Sequence, residues 1–240
     1  MNTRRMRFRT WLVLLPALVV IVAVAIYPLF NSFVLSFQDW RLQRSPQPSG
    51  FVGLEQYARA FTDRIFLNSV VVTLEYTVLS VALTIVLGLA MALILFKRTW
   101  STVLIRSLLI FPFAVSAILK GYMFRFMLDA NYGIISQIIG WIMPVAKGFI
   151  WLADPFWAMF WIAISEVWGW APLYALMFIG ALGSIPRDMF EAARVDGATN
   201  FQVFMHVTLP MLKPVLIIAT LLKTIFSLKI FDQVMAMTQG

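Results

Sequence analysis

The stretch LNSVVVTLEYTVLSVALTIVLGLAMALILF, residues 67–96, decides the fold class of this 240-residue chain. It is 30 residues long and contains one charged side chain, Glu75. A helix needs about 20 predominantly apolar residues to cross the hydrocarbon core of a bilayer. The segment therefore predicts a transmembrane helix rather than a helix of a water-soluble protein.

The composition of the whole chain leads to the same class. Hydrophobic residues make up 61% of the sequence and charged residues 12%, whereas roughly 25% of residues are charged in soluble domains. The net charge of +8 comes from basic residues in short stretches between apolar runs, which is typical of membrane topology and not of a nucleic-acid interface. With no cysteine and one histidine, the sequence predicts no disulfide and no metal site.

Four further apolar runs have the length of a span. The five predicted spans are Trp11–Phe37, Leu67–Phe96, Val103–Leu128, Trp157–Gly183 and Leu212–Phe231. Residues 131–151 are less hydrophobic and are interrupted by three glycines and a proline, so we interpret them as an interfacial or re-entrant segment. The sequence thus predicts an all-α polytopic transmembrane helix bundle, with residues 1–240 as a single transmembrane domain.

Basic residues in short loops set the expected orientation, because they accumulate on the cytoplasmic side. They occur before the first span, between the second and third spans, and between the fourth and fifth, and these positions alternate along the chain (Arg4, Arg5, Arg7, Arg9; Lys97, Arg98, Arg106; Arg187, Arg194, Lys213). We expect a cytoplasmic N-terminus and an uncleaved first helix. Five spans would leave Gly240 outside, so we expect a final helix to be missing from this sequence.

The most informative loop is SIPRDMFEAARVDGATNFQVFMHVTLPMLKP, residues 184–214. Ser184 and Pro186 suit the start of a short helix, and Gly197 suits its end. Thr199 or Asn200 can cap a second helix, and Pro210 marks the entry to the next span. The pattern predicts a cytoplasmic helix–turn–helix whose apolar side docks either onto a partner or onto the membrane and the chain's own helices.

The residues of this loop resemble a known family. Glu191-Ala192-Ala193, Asp196-Gly197-Ala198 and Leu209-Pro210 match the EAA motif of the permeases of binding-protein-dependent importers. The resemblance extends over nearly the whole chain, to the sugar-type permeases of ATP-binding-cassette (ABC) importers and most to the maltose-type first permease. It is also carried by YPLFNSFVLSF, FVGLEQYARAF, LGLAMALIL, NYGII, VWGWAPL and ALGSIPRDMFEAARVDGA.

This resemblance implies a function and a set of partners. Residues 184–210 would form the coupling loop that contacts a cytoplasmic ATPase, through Glu191, Ala192, Ala193, Asp196, Gly197, Ala198, Leu209 and Pro210. The chain would be no enzyme and would hold no cofactor, since ATP and Mg²⁺ would bind two copies of the ATPase subunit. The other implied partners are a second permease forming a heterodimer, an extracytoplasmic solute-binding protein, a sugar substrate and the lipid bilayer of the bacterial inner membrane.

Four charged residues fall inside the predicted spans, and such residues are candidates for function. At 1.5 Å of rise per residue, Glu75, Lys120, Glu166 and Lys223 fall in one layer of the membrane. They either form two interhelical ion pairs or line a path for a hydroxylated solute. Trp168 and Trp170 either stack on sugar rings or pack against other helices, and Arg125 and Asp129 have the i,i+4 spacing of an ion pair.

The sequence therefore predicts a permease for a carbohydrate. The alternative within transport is a permease for glycerol phosphate, a polyol or another small solute. An integral membrane enzyme using Glu75 and Glu166 as an acid–base pair, and an ion channel without an ATPase partner, are the alternatives from other classes. The enzyme alternative lacks a nucleophile, a metal-ligand cluster and a recognisable catalytic motif, and the chain has no Gly-rich Lys loop for ATP.

Overall fold

A computed structural model of the chain describes residues 14–40, 43, 45–48, 50–97 and 99–239. Among these residues the regular structure is helical and the β pairing is one isolated bridge between Gln38 and Phe51, which confirms the all-α prediction. The chain divides into two compact units, residues 1–70 and 71–240. Several residues used to predict topology lie outside the described parts of the chain: Arg4, Arg5, Arg7, Arg9, Trp11, Arg98 and Gly240.

The first unit contains helix α1, Leu14–Leu35, and helix α2, Glu55–Thr62. A π-helical segment, Val22–Ile26, interrupts α1, and none of its apolar window is buried inside the chain. Two contacts hold the ends of the connection between these helices together. They are the Gln38–Phe51 bridge and a 2.7 Å hydrogen bond between Ser36 Oγ and the Tyr57 hydroxyl. The bare apolar surface of α1 therefore requires lipid or a partner to cover it.

The long helix α3, Arg64–Leu95, begins before the boundary at residue 70, and the second unit contains the rest of it and eight further helices of the described chain. These are α4 (Trp100–Leu108), α5 (Ile110–Ala114), α6 (Ala117–Met127), α7 (Ile134–Ile142), α8 (Pro155–Gly183), α9 (Arg187–Val195), α10 (Asn200–Ser227) and α11 (Asp232–Thr238). Helices α1, α3, α8 and α10 are long and apolar enough to cross a membrane, and α4–α5 with α6 makes a fifth crossing if the bent pair is one span.

The third predicted span, Val103–Leu128, is bent and not straight. It is divided between α4–α5 and α6, whose axes differ by 96°. Pro112 has no N–H to donate to the carbonyl of Leu108, where α4 ends. Val115 is extended, and Ser116 caps α6 by accepting a hydrogen bond from the Leu119 N–H (3.4 Å). Both signals were present in the sequence, within an apolar run whose length suggested an unbroken helix.

The fifth predicted span, Leu212–Phe231, differs from the structure at both ends. Helix α10 already begins at Asn200, so the second helix of the loop and the span are one continuous element. A π-helical segment, Phe204–Thr208, precedes Pro210, and such a wider turn accommodates the hydrogen bond that a proline removes. The helix ends at Ser227, and four non-helical residues separate it from the start of α11 at Asp232.

Residues 131–151 form no span. They contain the nine-residue α7 and the short 3₁₀ turns Pro144–Ala146 and Trp151–Ala153. The predicted Arg125–Asp129 ion pair is wrong, because Arg125 donates to the Ala236 carbonyl (3.4 Å). The Asp129 carboxylate instead accepts the N–H groups of Asn131 (2.9 Å) and Tyr132 (3.3 Å), which lowers the pKa of Asp129. Asp129 thus organises the turn that follows α6.

Helix α8 is the centre of the second unit, with 61% of its apolar window buried. Near its start, Ile162 and Ala163 belong to an apolar cluster with Phe124 and Met237. Towards its end, Tyr174, Phe178 and Leu182 belong to a second cluster with Ala92, Leu212 and Ala219. Between the two clusters lies a polar layer that contains Ser165 and Glu166, both buried.

Helices α6 and α11 approach each other closely at Gly121. A Cβ atom built there would lie 2.5 Å from Ala236 Cβ and 3.2 Å from the Gln233 carbonyl oxygen. Neither atom belongs to the end of a flexible side chain, so the backbones would have to separate. Small residues that allow such contact stabilise helix pairs in membranes. Gly121 thereby places α11 against the polar layer of α8.

We predict that Gly121→Ala destabilises the protein by about 1–3 kcal/mol, the usual effect of overpacking. Gly180→Ala on α8 is the matched control, because no atom lies within 4 Å of a Cβ built at that position and alanine favours helix. The measurement is the thermal unfolding midpoint in detergent, followed by tryptophan fluorescence. Equal midpoints for the two variants would contradict the close packing of α6 and α11.

Candidate functional site: a buried charge cluster and an exposed helical loop

A buried ion cluster occupies the polar layer of the second unit. Glu166 on α8 accepts a hydrogen bond from Lys223 Nζ of α10, at 3.0 Å from its Oε1. Lys120 Nζ of α6 lies 3.9 Å from the other carboxylate oxygen, Oε2. All three side chains are less than 9% exposed. Three of the four residues predicted to share a layer therefore meet in this cluster, but one acid serves two lysines.

Glu75 is the exception among the four predicted residues. It is exposed on α3, and within the described residues no ion pair reaches it. Its neighbours Tyr76 and Thr77 are the buried residues of that turn. The predicted pairing of two acids with two bases is therefore wrong, because successive side chains of a helix point about 100° apart and α3 turns Tyr76, not Glu75, inward.

Gln233 of α11 completes the cluster and was missed by the sequence analysis. It is 1% exposed, and its side chain contacts Ser165 and Glu166. With the amide nitrogen facing Glu166, Nε2 donates to Glu166 Oε2 at 2.7 Å and the amide oxygen accepts the Glu166 N–H at 3.2 Å. The signal in the sequence was a polar residue just after the fifth apolar run.

A cavity of about 260 Å³ opens beside this cluster. Polar and aromatic groups share its wall: Lys120, Glu166, Lys229, Asp232 and Gln233, with Phe113, Trp170, Phe226 and Phe231. Trp170 has its ring 4.7 Å from that of Phe226 and 5.2 Å from that of Phe113, and Lys223 Nζ lies 5.3 Å from its centre. Trp170 therefore belongs to the cavity, together with six aromatic and polar residues that the sequence did not single out.

Trp168 lies elsewhere. Its ring meets Phe124 edge-on at 6.1 Å and packs against the first apolar cluster, and it does not line the cavity. Trp168 therefore packs against the neighbouring helix α6. The rotation of α8 separates the two tryptophans, although they are two residues apart in the sequence.

The loop after α8 contains the motif residues in a well-defined helical turn. Ser184 does not cap α9 as predicted, because its hydroxyl donates to the Ala181 carbonyl (2.7 Å) and closes α8. Helix α9 ends at Val195 in a Schellman motif, in which the N–H of Ala198 bonds to the Ala193 carbonyl (3.0 Å). Gly197 adopts φ +76° in this motif, which is the left-handed conformation that glycine tolerates best.

A capping box starts the next helix. Thr199 Oγ1 accepts the Gln202 N–H (3.3 Å), and Gln202 Oε1 accepts the Thr199 N–H (2.8 Å), so Thr199 is the capping residue of the two predicted candidates. The motif residues are accessible: Glu191, Ala192, Asp196, Gly197 and Pro210 are exposed, and Ala193, Ala198 and Leu209 are half-buried. Apolar side chains at the turn are exposed as well, with Val195 at 87% and Phe201 at 71%.

Within the described residues, no group of three or more His, Cys, Asp or Glu side chains is arranged to hold a metal ion. The cluster around Glu166 contains one carboxylate and two ammonium groups, and ammonium groups do not ligate metals. Hydrogen bonding and charge compensation are thus the chemistry that this arrangement offers.

Comparison with known proteins places these features in a family. Residues 84–238 match the binding-protein-dependent transport system inner membrane component. The trehalose/maltose transport system permease protein MalF of Thermococcus litoralis is 35% identical over 99% of this chain and 81% of its own length. The trehalose transport system permease protein SugA of Mycobacterium tuberculosis is 30% identical over the whole of this chain and 75% of its own length.

Two solved structures share the fold. A bacterial ABC transporter that imports the acidic polysaccharide alginate matches with a TM-score of 0.80 at 18% identity, over 98% of this chain and 78% of the matched chain. The same comparison with an alginate transporter in complex with a pentasaccharide-bound periplasmic protein gives a TM-score of 0.76, over 98% of this chain and 81% of that one. The chain therefore belongs to the binding-protein-dependent transport system inner membrane components, as a multi-pass permease subunit of the sugar-type ABC importers.

Proposed function

We propose that this chain forms part of the translocation path for a carbohydrate, and that it couples this path to a cytoplasmic ATPase through residues 184–210. The observation that carries the substrate class is the cavity beside Glu166, in which aromatic rings and hydrogen-bonding groups share one wall. The names of several relatives, which are transport proteins for maltose, trehalose and lactose, support the same class.

The chemistry of the cavity suits a sugar. A pyranose ring has apolar C–H faces and a rim of hydroxyls, so it needs flat apolar surfaces together with donors and acceptors. Phe113 and Trp170 supply the flat surfaces, and Lys120, Lys229 and Asp232 supply polar atoms. The volume of about 260 Å³ lies just below the roughly 300–1,000 Å³ of pockets for drug-sized ligands, which suits a small solute or one unit of a longer one.

The loop suits a coupling role because it is rigid and yet uncovered. The Schellman motif and the capping box fix the angle between α9 and α10. The apolar side chains of Val195 and Phe201 are nevertheless exposed at the turn, as expected for a surface that another protein covers. Glu191 is an exposed charge on the same loop, and we assign it the polar contact to the ATPase.

This assignment gives each part of the importer a task. The loop faces the cytoplasm with the N-terminus, ATP and Mg²⁺ bind two copies of a separate ATPase subunit, and a second permease completes the path. A solute-binding protein delivers the substrate from outside. The chain itself performs no catalysis, and transport proceeds by alternating access in which helices move as rigid bodies.

We expect Glu191→Arg to lower solute-stimulated ATP hydrolysis by the assembled importer at least about tenfold, because breaking a charge contact at an interface costs about 2–5 kcal/mol. Asp188→Arg is the matched control, since Asp188 is an exposed acid in the first turn of the same helix. Its reversal costs about 0.3–1 kcal/mol through the helix dipole. Hydrolysis and co-purification of the ATPase are measured; equal loss in both variants would refute the contact at Glu191.

For the substrate path, we expect Phe113→Ala to reduce uptake at limiting solute about threefold to tenfold, since an aromatic contact contributes about 0.5–1.5 kcal/mol. The matched control is Phe111→Ala on the same short helix, α5, because Phe111 is exposed and does not line the cavity. The measurement is uptake of radiolabelled maltose, trehalose and lactose by proteoliposomes containing the whole importer. If wild-type importer with its binding protein carries none of a broad panel of sugars, the carbohydrate proposal fails.

A further inference from the structure

The buried cluster contains more positive than negative charge. Lys120 and Lys223 share the single carboxylate of Glu166, and their side chains are 5% and 0% exposed. The other two charged groups at the cavity, Lys229 and Asp232, cancel each other. In formal charge, one positive charge is therefore left over at a buried site, where an uncompensated charge is strongly unfavourable.

The hydrogen bonds show where this surplus lies. Lys223 is paired directly with the acid: it donates to Glu166 Oε1 at 3.0 Å and lies over the face of Trp170. Gln233 Nε2 occupies Glu166 Oε2 at 2.7 Å. Lys120 Nζ is 3.9 Å from that same oxygen, beyond hydrogen-bond distance, and in the described residues it donates no hydrogen bond. An ammonium group has three N–H donors to satisfy.

Lys120 also reaches the cavity, and the backbone makes room for it. Lys120 is among the residues that line the cavity. A Cβ atom at Gly169 would lie 2.5 Å from Lys120 Nζ, so a side chain at that position would displace the ammonium group. A purely structural ion pair for Glu166 needs one lysine, and Lys223 already provides it. The second lysine is held at the cavity wall with its donors free.

We propose that this cavity binds an anionic solute, and that Lys120 Nζ is the group that contacts its oxyanion. The ligand class is a sugar that carries a carboxylate, sulfonate or phosphate, whose negative charge balances the surplus in the cluster. Charge-assisted hydrogen bonds of this kind are about twice as strong as neutral ones. The proposal rests on the carbohydrate function above and narrows it; Phe113 and Trp170 then hold the ring while Lys120 selects the charge.

The test uses the whole importer, purified in detergent, and ligand-induced shifts of its melting midpoint. The probes are the uronic acid, sulfonate and phosphate derivatives of glucose, galactose and mannose, each beside its neutral parent, with sodium sulfate as the free-ion arm. We expect at least one charged derivative to half-saturate at a concentration about tenfold or more below that of its parent. We expect sulfate alone to produce no shift at the same concentration.

Three variants assign the effect to the ammonium group. Lys120→Gln should abolish the preference for the charged derivative, and Lys120→Arg should retain it. Gly169→Ala keeps every charge but displaces Nζ, so it should reduce the preference. The matched control, Lys213→Gln, removes an exposed lysine of α10 that does not line the cavity, and it should change nothing. Without ligand, Lys120→Gln should melt no lower than the wild type, because Glu166 keeps Lys223.

The outcomes separate this proposal from the one on which it rests. Shifts by neutral parents that equal those of the derivatives would overturn the anionic class and leave the carbohydrate function intact. Shifts by none of the sugars would count against both. A shift by sulfate as large as that by the charged sugars would overturn the ring contact, and an unchanged preference in Lys120→Gln would overturn the role of Lys120.

Discussion

The rest of the second unit is arranged around a carboxylate that is buried, where an ion is energetically unfavourable. Glu166 is 6% exposed and lies between two apolar clusters on α8. A buried ion is tolerated when its partners supply both charge and hydrogen bonds. Helix α10 contributes Lys223 and α11 contributes Gln233, which both hydrogen-bond to the carboxylate, and α6 brings a second lysine, Lys120, to 3.9 Å. The need to satisfy one acid thus fixes the neighbours of α8 and their rotation.

The same ion pair connects the cavity with the loop. Helix α8 carries Glu166 and leads directly into α9, while α10 starts at Asn200 in the loop and carries Lys223. The two helices are therefore the arms of one hairpin, with the motif residues at its turn and the Lys223–Glu166 contact between its arms. A force on the turn acts on both arms together, because the capped turn is rigid and the buried pair resists their separation. This continuity gives a physical route from the proposed ATPase contact to the cavity.

Sequence reasoning succeeded where one-dimensional pattern suffices. Length and apolarity predicted the spans, depth along the helix predicted the layer shared by Lys120, Glu166 and Lys223, and Gly197 and Thr199 predicted the turn. It failed where the rotation of a helix about its axis decides which side chains are buried. Helix α3 is apolar on all sides, so nothing in its pattern says that Tyr76 is inward and Glu75 outward. Gln233, the partner of Glu166 on α11, lies 67 residues away in the sequence. It reaches Glu166 because α11 packs closely against α6 at Gly121.

The division of tasks among the two lysines has a consequence for transport. A solute that hydrogen-bonds to Glu166 must compete with Lys223 and Gln233, and so it would loosen the contact between the arms of the hairpin. A solute that binds Lys120 leaves the 3.0 Å bond between Lys223 and Glu166 in place. The lysine with free donors is thus the one whose engagement does not disturb the arms. Solute binding and hairpin movement then depend on different groups of the same cavity wall. An importer that must bind its solute before it moves requires these two events to be independent.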